Sequence, residues 1–118
     1  MALRSNYEVA ITAEASRKGF RTLHPTNGSP HLPKDYSMLF EAKTNVPRPF
    51  DVHWQVVNTG EEAERASQLR GGFYDGDGNG GLTRKESTRY RGMHWVECFI
   101  LKDGRCVARS GEFVVNIE

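Results

Sequence analysis

Near the start of the chain the apolar positions recur at every second place. In "YEVAIT", Tyr7, Val9 and Ile11 share one face and Glu8, Ala10 and Thr12 the other, the mark of a half-buried strand. Residues 19–36, "GFRTLHPTNGSPHLPKDY", interrupt that period with three of the five prolines and an Asn-Gly pair, and read as a long irregular connection. An ordered loop of that length often carries function. "SMLFEAKTNV" follows as a second strand, stopped by Pro47-Arg48-Pro49. In "FDVHWQVVNTG", Phe50, Val52, Trp54 and Val56 alternate with Asp51, His53, Gln55 and Val57, which makes a third strand and places Trp54 in the core between sheets. The period changes in "EEAERASQLRGG". There Ala63, Ala66 and Leu69 recur at helical spacing, acids open the segment and arginine closes it, and Gly71-Gly72 stop it, so one short helix is predicted.

The last third is the most strand-like. "STRYRGMHWVECFIL" and "CVARSGEFVVNIE" read as two long arms of a hairpin joined at "KDGR", with Gly111 as a bulge that bends the second arm. Five or more strands with one short helix define the fold class: all-β, an immunoglobulin-like antiparallel β-sandwich with one short helix. No repeat, low-complexity tract or linker divides the chain, so residues 1–118 are read as one domain with an irregular loop at 19–36 and a polar insert at 73–86. A chain of 118 residues is of ordinary domain size and can bury a core without metal or disulfide staples. The Met-Ala-Leu start, followed almost at once by a strand, suits a domain excised from a longer chain.

Charge and cysteine usage narrow the partners. A formal charge of +1 argues against a surface built for a DNA or RNA duplex, which needs concentrated basic charge. A local basic pocket for a small anion remains open. No signal-peptide core or membrane-spanning run occurs, so no membrane partner is expected and a cytoplasmic location is. Cys98 and Cys106 flank the turn, and with Lys102, Asp103 and Gly104 as a three-residue loop, Ile100 faces Cys106 and both half-buried thiols stay free.

Two segments hold candidate chemistry. "DGDGNGGLTRKE", residues 75–86, fits a calcium-loop pattern, with Asp75, Asp77 and Asn79 at the first three ligand positions, Gly80 at the turn and Glu86 at the closing position. The flanking helices such a loop requires are absent from the pattern, and a polar connection between strands uses the same residues. The second segment, "RKESTRYRGMHWVE", interleaves Arg84, Lys85, Arg89 and Arg91 with Tyr90, His94 and Trp95. Arginine offers a planar fork to phosphate and the rings offer faces to a base. On an extended arm Tyr90, His94 and Val96 share one face, and Arg89, Arg91, Trp95 and Glu97 the other. The plainer reading makes the cations a solvent face and Trp95 a core residue. The four histidines, His24, His31, His53 and His94, lack metal-ligand spacing, and no nucleophile or phosphate-loop motif occurs. A non-catalytic protein without a cofactor is expected.

The runs "FDVHWQVVNTGEEA", "LRGGF" and "ESTRYRGMHWVECFILKDGRCVARSGEFVVNI" resemble the Adenylyl/Guanylyl and SMODS C-terminal sensor domain, a module of bacterial nucleotidyltransferases that make cyclic oligonucleotides in anti-phage defence. The resemblance implies a non-catalytic sensor that recognises a nucleotide or nucleotide-derived signal and regulates a fused or associated nucleotidyltransferase. The polar residues within the matched runs become the candidate ligand contacts: Asn58, Arg70, Tyr90, Arg91, His94, Glu97 and Arg109. In that reading Arg70 and Arg91 hold phosphate while Tyr90 or His94 stacks on the base. Two other readings stand beside it: an immunoglobulin-like domain that docks on the nucleotidyltransferase or a phage protein, and a calcium-responsive binding module built on Asp75, Asp77, Asn79 and Glu86.

Overall fold

A computed structural model of the chain describes residues 6–29, 32–58 and 73–118. Eight strands occur among them: β1 (Val9–Ser16), β2 (Ser37–Thr44), β3 (Asp51–Asn58), β4 (Phe73–Tyr74), β5 (Thr83–Ser87), β6 (Gly92–Lys102), β7 (Arg105–Arg109) and β8 (Phe113–Ile117). They form two antiparallel sheets packed face to face, one in the order β1-β2-β5 and the other β4-β3-β6-β7, with β8 also paired to β6. The all-β sandwich stands as expected. The predicted helix at 61–72 lies outside the described residues.

Alternation sets which side chains close the core. β2 turns Met38, Phe40 and Ala42 inward, β3 turns in Val52, Trp54 and Val56, and β6 turns in His94, Val96, Cys98 and Ile100. Phe40 from one sheet meets Phe113 from the other edge to face, with ring centroids 5.8 Å apart. Trp54 is wholly buried, and its indole N–H donates to the Gly81 carbonyl at 2.8 Å. The ring therefore fills the core at no cost of an unpaired donor.

The C-terminal arms are a hairpin, with two differences from the expected form. The turn is Asp103-Gly104 alone, both at positive φ (52° and 78°), because Lys102 pairs with Arg105. An Asp-Gly pair suits a two-residue turn of this twist. Leu101, rather than Ile100, then faces Cys106, and Ile100 faces Ala108 after a shift in register. Gly111 (φ 77°) does interrupt the second arm. Residues 110–112 stand opposite Glu97 and Cys98, so the eleven-residue β6 pairs first with β8 and then with β7.

The first arm is where the strand pattern misleads. It does not run unbroken from Ser87 to Leu101, and the insert 73–86 is not all loop. Thr83–Ser87 is a strand of the first sheet, paired with β2, whereas β6 belongs to the second. The chain crosses between sheets at residues 88–91, and Thr88 is the pivot. Its side chain is fully buried, accepting from the Tyr36 N–H at 2.8 Å and donating to the Pro33 carbonyl at 2.8 Å.

The long connection after β1 has a structural task. Asn27 Oδ1 accepts from the Val114 N–H at 2.6 Å, and the Gly28 N–H donates to the Val114 carbonyl at 2.8 Å. The Leu32 N–H donates to the Asn116 carbonyl at 2.8 Å. These bonds close the outer edge of β8. Thr88→Val keeps the shape of the crossover pivot but takes a partner from the buried Tyr36 N–H and the partly buried Pro33 carbonyl. We expect it to lower the denaturant midpoint by the equivalent of roughly 1–3 kcal/mol, with an unchanged m-value.

Candidate functional site

The structure separates the seven candidate ligand residues into two groups, with Arg70 outside the described residues. The first group gathers at one end of the sandwich. Asn58, the last residue of β3, stands directly opposite His94 in the β3–β6 ladder. Tyr90, half-buried, and Arg91, exposed, lie on the crossover just before β6. His94 ties the crossover down, its Nε2 lying 2.8 Å from the Tyr90 carbonyl. A carbonyl can only accept, so Nε2 carries the proton and Nδ1 is left as a buried atom without a partner. Burial pushes the His94 imidazole below its ordinary value of 6.5, and the bond to Tyr90 opposes that only in part. At 8% exposure its ring has no open face for a base. His94 positions Tyr90; it does not itself stack on a ligand.

A crevice between the sheets opens beside this group, lined among others by Met38, Val56, Asn58, Glu86, His94 and Ile117. Its volume of about 20 Å³ holds one water and excludes a nucleobase. A wider, shallow groove of about 390 Å³ lies along Ser16, Ser37, Leu39 and Lys85. Ser16, Ser37 and Ser87 fall in one row there because Ser37 pairs with both of the others. Each serine ends or begins a strand, so only the register brings them together, and the local pattern carries no sign of it.

The second group is Glu97 and Arg109, on the outer face of the second sheet. The Arg109 guanidinium donates to both Glu97 oxygens, from Nε at 2.8 Å and from Nη2 at 3.0 Å. The Gly111 N–H gives the same carboxylate a third bond at 3.0 Å. Glu97 is 2% exposed and both its oxygens are engaged, so the carboxylate is turned to Arg109 and the bulge rather than to solvent. The Glu97 carboxylate, through its hydrogen bond and its charge, raises the pKa of Arg109, whose guanidinium also lies 5.1 Å over the Phe99 ring. Trp95 shares this outer face, half-buried, since His94 and Val96 take the core side of β6. It is not the core tryptophan of the plainer reading. Cys98 is buried and its thiol is pushed up to about 12, by burial first and then by Cys106 and Glu97; Cys106 is exposed and both are free.

The calcium-like residues do not converge. The 75–82 segment folds as a tight turn, with the Gly81 N–H donating to the Gly78 carbonyl at 2.9 Å and Gly78 bridging to Thr83. Asp77 lies along the edge of β5, donating from its N–H to the Thr83 carbonyl at 2.7 Å and accepting the Lys85 N–H on Oδ2. Glu86 faces inward and pairs with Arg84 at 2.8 Å. The glycines answer to close packing: a Cβ on Gly76 would stand 1.9 Å from the Gly81 carbonyl oxygen, and one on Gly81 3.2 Å from Val52 Cβ. Among the described residues no three His, Cys, Asp or Glu side chains are grouped to hold a metal.

The protein is thus a two-sheet antiparallel sandwich with Asn58, Tyr90, Arg91 and His94 at one end and Glu97 and Arg109 on the outer face of one sheet. The chain belongs to the Adenylyl/Guanylyl and SMODS C-terminal sensor domain family, whose sequence model matches residues 1–118. No curated protein matches the sequence. Among the described residues no helix is long and apolar enough to cross a membrane.

His94 generates a pH dependence whose sign follows from its depressed pKa. The unfolded chain takes up a proton near 6.5 while the native state resists it, so the neutral imidazole's contribution is complete above that pH and is lost as the pH falls below it. Unfolding midpoints measured across this range should drop more steeply for the wild type than for His94→Gln.

Proposed function

We propose that this chain is a non-catalytic sensor that recognises a nucleotide or nucleotide-derived signal at the crossover before β6 and regulates an associated nucleotidyltransferase in bacterial anti-phage defence, in the cytoplasm. The observation that carries this reading is the crossover itself. Tyr90 and Arg91 are presented at the surface on a segment pinned at both ends, by the buried Thr88 hydroxyl and by His94. A pinned Tyr-Arg pair loses little conformational freedom when a base stacks on the ring and a phosphate meets the guanidinium. Asn58, across the ladder from His94, supplies a hydrogen-bonding edge at the same end, and Arg70 is the second phosphate contact. Glu97 and Arg109 support the sheet behind this surface.

Family membership supports the sensor role, and the lack of a nucleophile or phosphate-loop motif supports a binding module over an enzyme. One observation favours a second reading, in which the domain docks on the nucleotidyltransferase or another protein without a small ligand: the crevice beside His94 is too small for a base. Thermal unfolding against mono-, cyclic di- and cyclic trinucleotides separates the two. A ligand at a hundred times its dissociation constant stabilises the native state by about 2.7 kcal/mol. For a domain of this size that raises Tm by roughly 10 °C. We expect one nucleotide class to give such a shift, and Arg91→Ala to abolish it, each shift being taken from that variant's own unliganded Tm. A flat panel would set aside the nucleotide reading in favour of docking.

A further inference from the structure

Every strand at the edge of a sheet leaves backbone donors and acceptors facing outward, and most edges of this sandwich are closed or blunted. Asp77 covers β5, and Asn27, Gly28 and Leu32 cover β8. β4 is two residues long, and β7 is five residues with an arginine at each end. β1 is different. Its eight residues pair with β2 without a break in register and include no proline, lysine or bulge. Ala15 exchanges both backbone bonds with Leu23, at 2.8 Å each, on the side away from β2. Strand alternation then points the N–H and C=O groups of Val9, Ile11 and Ala13 the same way. Among the described residues no backbone group bonds to those three from that side, so they offer an unfilled ladder beside Tyr7, which is 39% exposed.

We infer that this edge is a self-association surface, on which two copies of the chain join their three-stranded sheets edge to edge and antiparallel, about a two-fold axis at Ala10. The residues themselves favour that axis: one at Val9 would leave Ala13 outside the ladder of described residues, and those at Ile11 and Thr12 meet conflicts. An antiparallel neighbour must set outward-pointing residues opposite one another. An axis at Thr12 would bring Val9 of the second copy to Ala15, where Leu23 already sits. An axis at Ile11 would set Glu8 directly opposite Glu14 of the second copy, twice, and like charges so placed repel. With Ala10 on the axis both conflicts vanish. Val9 faces Ile11 of the second copy, Tyr7 faces Ala13, Glu8 faces Thr12, and Ala10 meets its own mate. Ala10 is exposed on the outer face and belongs to the non-hydrogen-bonded pairs, whose side chains come closest, where a small residue fits best. The same patch on both copies makes a closed, isologous dimer, and the edge ends there.

Sedimentation velocity on the whole chain, from micromolar to near-millimolar concentration, tests this. The wild type should pass from monomer to dimer. Ala10→Glu and Ala10→Lys, which leave the core untouched, should each remain monomeric, and mixing the two should restore the dimer. In a Cys106→Ser background, Ala10→Cys should form an interchain disulfide under mild oxidation and Thr12→Cys should not. A wild type that stays monomeric, a dimer indifferent to the Ala10 charges, or cross-linking through Thr12→Cys would overturn the inference. Far-UV circular dichroism on each variant confirms that the sandwich is retained.

Discussion

A β-sheet ends in backbone groups that must find partners, and this constraint shapes the irregular segments among the described residues. The strands themselves satisfy their inner neighbours. It is the connections that decide whether the outermost strands are sealed. The Pro- and Gly-rich connection between β1 and β2 closes part of β1 through Leu23 and then closes β8 through Asn27, Gly28 and Leu32. The Asp- and Gly-rich segment before β5 closes that strand through Asp77. Segments whose composition suggests exposed, adaptable loops are thus held in place by ladder-like bonds. Along the first half of β1 no such segment reaches among the described residues, and there the proposed pairing would extend the sheet.

A second constraint acts inside β6. One strand of eleven residues carries two shorter partners, and the step between them leaves an amide that needs an acceptor. Glu97 provides it and is in turn neutralised by Arg109, so a charged side chain is buried with its oxygens bonded. A residue that looks like a ligand contact in the polar pattern of the family is spent on architecture. His94 follows the same logic at the other end of the strand, where its ring fixes the crossover from the inside. In the proposed site, recognition falls to the short segment these groups support, Tyr90 and Arg91, with Asn58 beside it.

Strand positions were legible wherever one face is apolar and the other polar. β2, β3 and β8 follow from that alternation, and Gly111 announces the break in the last arm. The crossover at residues 88–91 was not legible. "STRYRGMHW" is β-forming throughout, and the reason it turns is a hydroxyl bonded to an amide 52 positions away. The same holds for the candidate site. Residue type marked Glu97, Arg109 and His94 as chemically able, but whether each faces a ligand or another side chain depends on register, which local pattern does not encode. Calcium-loop spelling at 75–86 is a related case. Aspartate and glycine suit a metal loop and also a tight turn that presses against a neighbouring backbone, and the two are told apart by where Asp77 and Glu86 bond, to the Lys85 N–H and to Arg84.

The bond from the Trp54 indole to the Gly81 carbonyl has an optical consequence. Trp54 is buried and Trp95 is half-buried on the opposite face of the second sheet, so the two fluorophores occupy unlike surroundings. Emission from Trp54 is tied through its N–H to the 75–82 turn, at the edge of the first sheet, while Trp95 sits beside the start of β6 and the crossover. The protein therefore contains its own pair of spectroscopic probes, one registering strain at a sealed edge and the other a change at the crossover before β6.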